Sequence, residues 1–177
     1  MRMIKTDRLT LRPFSPDDWQ DLYEYLSNEE VIRFEPYGVF TVEQCKQEAE
    51  KRSANPAFWA VCLRSNGKLI GNLYLEQQDF GVWELGYVFN SSYQRRGYAT
   101  EAGQALLAWA FYEQDARRIT AMCNPLNAPS WRLLERLGMR REGHLRQNVA
   151  FNRDETGQPI WQDTYLYAVL ASEWNRA

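Results

Sequence analysis

The sequence is short of the residues from which most metal and nucleophile centres are built. Of its 177 residues one is a histidine, His144, and three are cysteines, Cys45, Cys62 and Cys123. A lone histidine excludes a multi-histidine metal site. A Ser-His-Asp triad would have only His144 to draw on, and no nucleophile-elbow motif accompanies it. The cysteines are odd in number and no two stand at CxxC spacing, which argues against a disulfide framework and against zinc. Free thiols suit a reducing cytosol. Long apolar runs are missing as well, since none approaches the ~18–20 residues that span a bilayer. The amino-terminal stretch 1–8 lacks the apolar core of a signal peptide. Nor does one sign of charge prevail: Lys and Arg number 21, Asp and Glu 23, for a formal net charge of −2. Such a chain is not globally built to hold nucleic acid. The expectation is a soluble, cytoplasmic protein with no metal, membrane or nucleic-acid partner.

What is present is an ordinary globular composition, 45% hydrophobic and 25% charged, rich in aromatics at 14%. A chain of this length buries a sizeable core in one domain, read here as residues 1–177. Residues 8–12 alternate polar and apolar, as a strand does. Ser15-Pro16-Asp17-Asp18 is a helix start, with Trp19, Leu22, Tyr23 and Leu26 following at helical spacing. Thr41 to Gln44 resembles a capping box opening a polar helix to about Ser53. Strands follow over 58–63, 68–75 and 82–89, with short connections that imply an antiparallel meander. A helix over 99–112, a strand over 118–122 and a helix over 130–137 come next, the last ending at Gly138. Late strands are expected around 143–151 and 164–170. This mixed order predicts an α/β or α+β fold with a mixed sheet.

The most informative stretch joins a strand to a helix: Val88-Phe89-Asn90-Ser91-Ser92-Tyr93-Gln94-Arg95-Arg96-Gly97-Tyr98-Ala99-Thr100-Glu101. A helix amino terminus offers unpaired N–H groups and a partial positive charge, which suit phosphate. Gly97 allows close backbone approach, Ala99 avoids crowding, and Arg95 and Arg96 add charge-assisted bonds. The loop is neither a Walker A motif nor a dinucleotide fingerprint. Taken alone it also reads as a solvated basic turn before an amphipathic helix.

Gln94-Arg95-Arg96-Gly97-Tyr98-Ala99 resembles the Q/R-x-x-G-x-G/A acyl-CoA loop of the GNAT N-acetyltransferases. The likeness runs over nearly the whole chain. Leu9-Thr10-Leu11-Arg12-Pro13 is similar to the opening strand of the ribosomal-protein N-terminal (alanine/serine) acetyltransferase branch. Leu69-Ile70-Gly71 and Glu84-Leu85-Gly86-Tyr87 are similar to two of the family's central strands. The segment Asn124 to Met139 resembles N-x-x-S-x-x-x-x-x-x-x-G-F, with Met139 where the family usually has Phe.

This resemblance implies a sheet splayed into a V, flanked by helices, with acetyl-CoA between two parallel strands. The pyrophosphate would rest on backbone N–H groups of Arg95, Arg96, Gly97, Tyr98, Ala99 and Thr100, beside Gln94. The pantetheine arm would run along Val88 and Phe89, with the Phe89 N–H facing the thioester carbonyl. An amine acceptor would attack directly, without a covalent acyl-enzyme, and no cysteine lies in these motifs. Glu84, set among Trp83 and Tyr87, is the base candidate, acting directly or through water; otherwise it is a cross-strand partner on a solvated face. Ser130 matches the proton donor to the thiolate, with Tyr165 and Tyr167 as alternatives, and also suits a helix start. Asn127 matches a residue that bonds the CoA arm, and equally a helix cap. His144, Asp163 and the basic stretch Arg136, Arg140, Arg141 and Arg146 read first as surface groups. The branch implies a protein or peptide α-amine as acceptor; a polyamine, amino acid or aminoglycoside is the alternative, and a CoA-binding module without chemistry is another. Many members form homodimers.

Overall fold

The computed structural model describes residues 3–174; Met1 and Arg2, at the start of the amino-terminal stretch read above, and residues 175–177 lie outside the described residues. In chain order the elements are β1 (Ile4–Lys5), β2 (Leu9–Arg12), α1 (Trp19–Leu26), α2 (Glu29–Ile32), α3 (Val42–Ser53), β3 (Phe58–Leu63), β4 (Leu69–Gln77), β5 (Val82–Phe89), α4 (Tyr98–Glu113), β6 (Arg118–Cys123), α5 (Ala128–Arg136), β7 (Arg140–Arg153) and β8 (Pro159–Leu170). The strands form one eight-stranded sheet in the order β1-β2-β3-β4-β5-β6-β8-β7. Every neighbouring pair is antiparallel except β5 and β6. A parallel pair needs a crossover, and α4 supplies it.

Strand alternation gives the sheet two apolar faces. Trp59 and Val61 of β3 and Trp83, Leu85 and Phe89 of β5 pack with Leu106, Ala110, Leu133 and Leu134 of α4 and α5. Ala60, Cys62 and Val88 point the other way, onto Leu22, Leu26 and Tyr25 of α1 and Cys45 and Ala49 of α3. The capping box expected at Thr41 is present: the Gln44 N–H donates to Thr41 Oγ1 at 3.2 Å, and the Thr41 N–H donates to Gln44 Oε1 at 2.8 Å. Ahead of α1, Asp18 accepts the Ser15 N–H at 2.7 Å and both Nη atoms of Arg12.

Two elements escape the sequence reading. β1 is two residues long, too short to show alternation, and exists through its pairing with Thr10 and Leu11. α2 is a single turn capped by the Asn28 side chain, which accepts the Glu30 N–H at 3.0 Å. Helix α5 starts at Ala128, two residues ahead of the expected Ser130, because Asn127 caps it and Pro129 fits its first turn. Strands β7 and β8 are longer than their patterns suggest. Their outer halves form an exposed hairpin arm, where neither face is buried and no alternation is imposed.

Candidate active site

The expected V is visible in the strand register. β5 pairs with β6 only through Val82↔Arg118, Trp83↔Ile119 and Glu84↔Thr120. Beyond Glu84, β5 stays paired with β4 as far as Phe89↔Gly71, while β6 stays paired with β8 as far as Cys123↔Tyr165. The two strands therefore part at Glu84. The Asn90 N–H donates to the Ile70 carbonyl and the Gln78 N–H to the Val82 carbonyl, so even-numbered residues bond toward β4. On the other edge Thr120 Oγ1 donates to the Trp83 carbonyl at 3.2 Å. Alternation then turns the N–H groups of Tyr87 and Phe89 into the V, beyond the last β5–β6 pair at Glu84 and Thr120. Gly71 keeps this edge in place: a Cβ there would lie 2.5 Å from the Phe89 ring and 2.7 Å from the Val88 carbonyl oxygen.

At the wide end of the V the chain turns through Gln94 to Gly97 into α4. Arg95 and Gly97 both have left-handed backbones, with φ of 60° and 80°. Alternating conformations of this kind gather successive N–H groups into an anion-binding concavity. The helix that follows is sixteen residues long and leaves its first N–H groups free. Gln94 Nε2 donates to the Phe89 carbonyl at 3.3 Å, tying loop to strand. From β2's side, Arg8 Nη1 donates to the Arg96 carbonyl at 3.0 Å, and Arg8 Nε donates to Glu101 Oε2 at 2.7 Å. The Arg8 N–H and the Thr6 hydroxyl donate to the other Glu101 oxygen. Burial works against the charged Glu101, but the bonds from Thr6 and Arg8 prevail and hold its carboxyl below the usual range. Arg8 and Glu101 were missed by the sequence reading. Only the pairing of a basic residue beside β2 with an acid in the first turn of α4 hints at them.

Ser130 stands in the first turn of α5. Its N–H donates to Asn127 Oδ1 at 3.3 Å, so Asn127 acts here as the helix cap. The Ser130 hydroxyl lies 2.9 Å from the Tyr87 hydroxyl, which also donates to the Ser130 carbonyl at 3.0 Å. Burial, chiefly, raises the Tyr87 pKa. Cys123, at the end of β6, is within hydrogen-bonding reach of Ser130, and burial pushes its thiol up to about 11. A cysteine thus does stand beside the proposed donor, although none lies in the sequence motifs. With its proton held so firmly it is a poor nucleophile. The alternative donors lie elsewhere: the Tyr167 hydroxyl donates to Glu135 at 3.1 Å, and the Tyr165 ring packs on His144 and under Arg141.

Glu84 marks the root of the V but not in the expected surroundings. Alternation sends its side chain to the face opposite Trp83 and Tyr87. There it lies across from Glu76 of β4, and Glu84 and Glu76 both act on Tyr74, whose hydroxyl burial first pushes up to about 12. The basic stretch is largely engaged by acids: Arg140 pairs with Glu142 and Glu173, and Arg146 with Asp163. His144 Nε2 lies 2.8 Å from Asp163. Arg136 Nε donates to Thr100 Oγ1 at 3.2 Å, beside the start of α4. Among the described residues no cluster of His, Cys, Asp and Glu is fit for a metal, and no helix is long and apolar enough to cross a membrane.

A V opened beside a helix start suited to anions is the arrangement that the acyl-CoA resemblance implies, and comparison with known proteins gives the family. The acetyltransferase (GNAT) domain family matches residues 8–140. The chain is 41% identical over 175 residues to the uncharacterized N-acetyltransferase YnaD of Bacillus subtilis (strain 168), covering 97% of this chain and 99% of that one. Among solved structures, an acetyltransferase (GNAT family) from Bacillus anthracis is 36% identical, with a TM-score of 0.88 over 97% of this chain and 99% of that one. Spermidine N-acetyltransferase from Vibrio cholerae, solved with CoA and spermine, shares the fold at 19% identity, with a TM-score of 0.77 over 95% and 98% of the two chains. The chain belongs to the GNAT family. It is an acetyl-CoA-dependent acyltransferase.

Proposed function

We propose that the protein, acting as one catalytic unit over residues 1–177, acetylates the α-amine of a protein or peptide by direct attack on acetyl-CoA. The observation that carries the cosubstrate's place is the parting of β5 from β6 at Glu84. It leaves a backbone edge into which an extended pantetheine arm fits as an added strand, along Val88 and Phe89. The concavity from Gln94 to Thr100, with Arg95, Arg96 and Arg8 around it, suits the pyrophosphate. When bound, acetyl-CoA supplies an acyl thioester. The Phe89 N–H is then the donor for negative charge developing on the carbonyl oxygen. Ser130 supplies the thiolate's proton, with Tyr87 holding its hydroxyl, and Asn127 fixes the start of the helix that carries Ser130. Glu84 draws the cationic amine toward the root of the V and is its first contact for proton relay. Three buried free cysteines suit the reducing cytoplasm in which such acceptors occur.

One observation favours a second acceptor class. Glu76 and Glu84 stand directly opposite each other across β4 and β5. Two opposed carboxylates repel unless a cation lies between them, as a small polyamine would. Incubation of the protein and acetyl-CoA with an amino-terminal peptide library and a panel of small amines decides between the two. Turnover of peptides is expected; turnover confined to small amines overturns the peptide assignment, and tight CoA binding with no acceptor at all overturns the enzymatic one.

A further inference from the structure

Arg8 stands just ahead of β2, outside every motif of the acyl-CoA resemblance, yet it is fastened to the turn that opens α4. Its Nε donates to Glu101 Oε2 at 2.7 Å, and its Nη2 lies 2.7 Å from the same oxygen. Its Nη1 donates to the Arg96 carbonyl at 3.0 Å, and the guanidinium lies 4.6 Å from the centre of the Tyr98 ring. The main chain is tied as well: the Arg8 N–H donates to Glu101 Oε1 at 3.0 Å, and the Arg8 carbonyl accepts the Arg64 N–H at 2.9 Å. One side chain thus grips an acid in the first turn of the helix and a carbonyl of the loop before it. The planar guanidinium holds both partners at once, because its donors point in fixed and different directions.

The bond to Arg96 decides where the next amide points. In a planar trans peptide the C=O and the N–H face opposite ways. With the Arg96 carbonyl drawn to Arg8, the Gly97 N–H is turned to the other side of the loop, and among the described residues it has no hydrogen-bond partner. We propose that Arg8 is a positioning residue of the cosubstrate site, holding the Arg96–Gly97 peptide so that the Gly97 N–H donates to the diphosphate of acetyl-CoA. The inference rests on the proposed place of the pyrophosphate and adds to it a residue that orients one of its donors.

Two properties of the turn give this clamp its task. Gly97 has φ of 80°, and glycine enters positive and negative φ with equal ease, so local sterics do not hold this peptide plane. Glu101 also brings a carboxylate into the first turn of α4, where an uncompensated negative charge would oppose that of the diphosphate; Arg8 offsets it. An Arg8→Lys side chain keeps the charge, but a compact ammonium does not reproduce the fork that spans Glu101 and the Arg96 carbonyl. Charge and orientation are therefore separable by experiment.

The test uses the full chain, acetyl-CoA and the amine that the wild type acetylates fastest. Arg8→Lys should raise the KM for acetyl-CoA about tenfold and leave kcat within about twofold, the signature of lost uniform binding on the scale of one charge-assisted hydrogen bond. Thr6→Val removes the other side-chain donor to Glu101 and leaves the Arg8 bonds in place. It should lower resistance to urea without moving that KM. In nitrogen-15 NMR the Gly97 amide of the wild type and of Thr6→Val should shift downfield with saturating CoA, and in Arg8→Lys that shift should be largely lost. A wild-type KM and Gly97 shift in Arg8→Lys, a raised KM with the shift intact, or an equal rise in KM for Thr6→Val overturns the orienting role of Arg8 while the CoA site stands. A wild-type Gly97 amide indifferent to CoA overturns the pyrophosphate's place, and this inference with it.

Discussion

The hydroxyls of Tyr87 and Ser130 lie 2.9 Å apart, one on a central strand and the other in the first turn of α5. The bond ties β5, beyond the point where β6 departs, to the first turn of α5. Because the tyrosine also donates to the serine's own carbonyl, the serine's hydrogen is directed to the phenol until a better acceptor arrives. A nascent thiolate is such an acceptor.

Ser130→Ala should therefore lower kcat by about 100-fold while leaving the KM for acetyl-CoA nearly unchanged, as removal of a general acid does. The backbone bond to Asn127 survives the substitution, so helix α5 keeps its cap. Steady-state kinetics over acetyl-CoA concentration provide the check, and a change confined to KM would contradict the donor role.

Gly97→Ala places a side chain on a backbone with φ of 80°, and its Cβ would lie 3.3 Å from Arg8 Nη2. The left-handed conformation alone costs roughly 1–2 kcal/mol for a residue with a Cβ. The melting temperature should fall by about 2–8 °C. Calorimetric titration with CoA should show affinity weakened about tenfold or more, because the same turn lines the concavity proposed for the pyrophosphate.

Gly71→Ala acts on the same site from the neighbouring strand. Its Cβ would lie 2.5 Å from the Phe89 ring and 2.7 Å from a backbone oxygen of β5, so strand as well as side chain has to move. Overpacking of this kind costs roughly 1–3 kcal/mol. A higher KM for acetyl-CoA is expected along with reduced resistance to urea, although residue 71 faces no ligand.

The Glu101 carboxyl is held below the ordinary value of 4.5. A carboxylate with a depressed folded-state pKa contributes stability that is complete above its unfolded pKa and is lost as pH falls through the folded one. Glu101→Gln should thus lose stability at neutral pH and flatten the decline of stability below about pH 4.5. Urea unfolding at pH 7 and at pH 3 measures the difference; equal losses at both would show that the ion pair with Arg8 contributes nothing.

Local chemistry was readable where one residue type meets one backbone demand. Gly97 before a helix, Thr41 with Gln44, and the alternation of residues 58–63 each carry their structure in a few neighbouring letters. The V was readable only through family likeness, since nothing in 82–89 says that its partner strand leaves after Glu84. Glu84 was placed by its interruption of an apolar run, but period-2 alternation sends it away from the Trp83 and Tyr87 assumed to surround it. Arg8 and Glu101 meet across 93 positions. Such groups acquire their environment only when distant elements close around them.

The unpaired stretch of β5 has one more effect. An exposed strand edge ordinarily invites another polypeptide to dock along it and aggregate. Here the bare amides lie down a narrowing crevice, walled on the far side by the diverging neighbour. Under the function proposed above, a thin, unbranched chain threads into that wedge and completes the hydrogen-bond row. A second polypeptide strand, with side chains alternating to both sides, is too broad to follow it in. The same fork that would admit the small thread keeps this one edge from serving as a template for another strand.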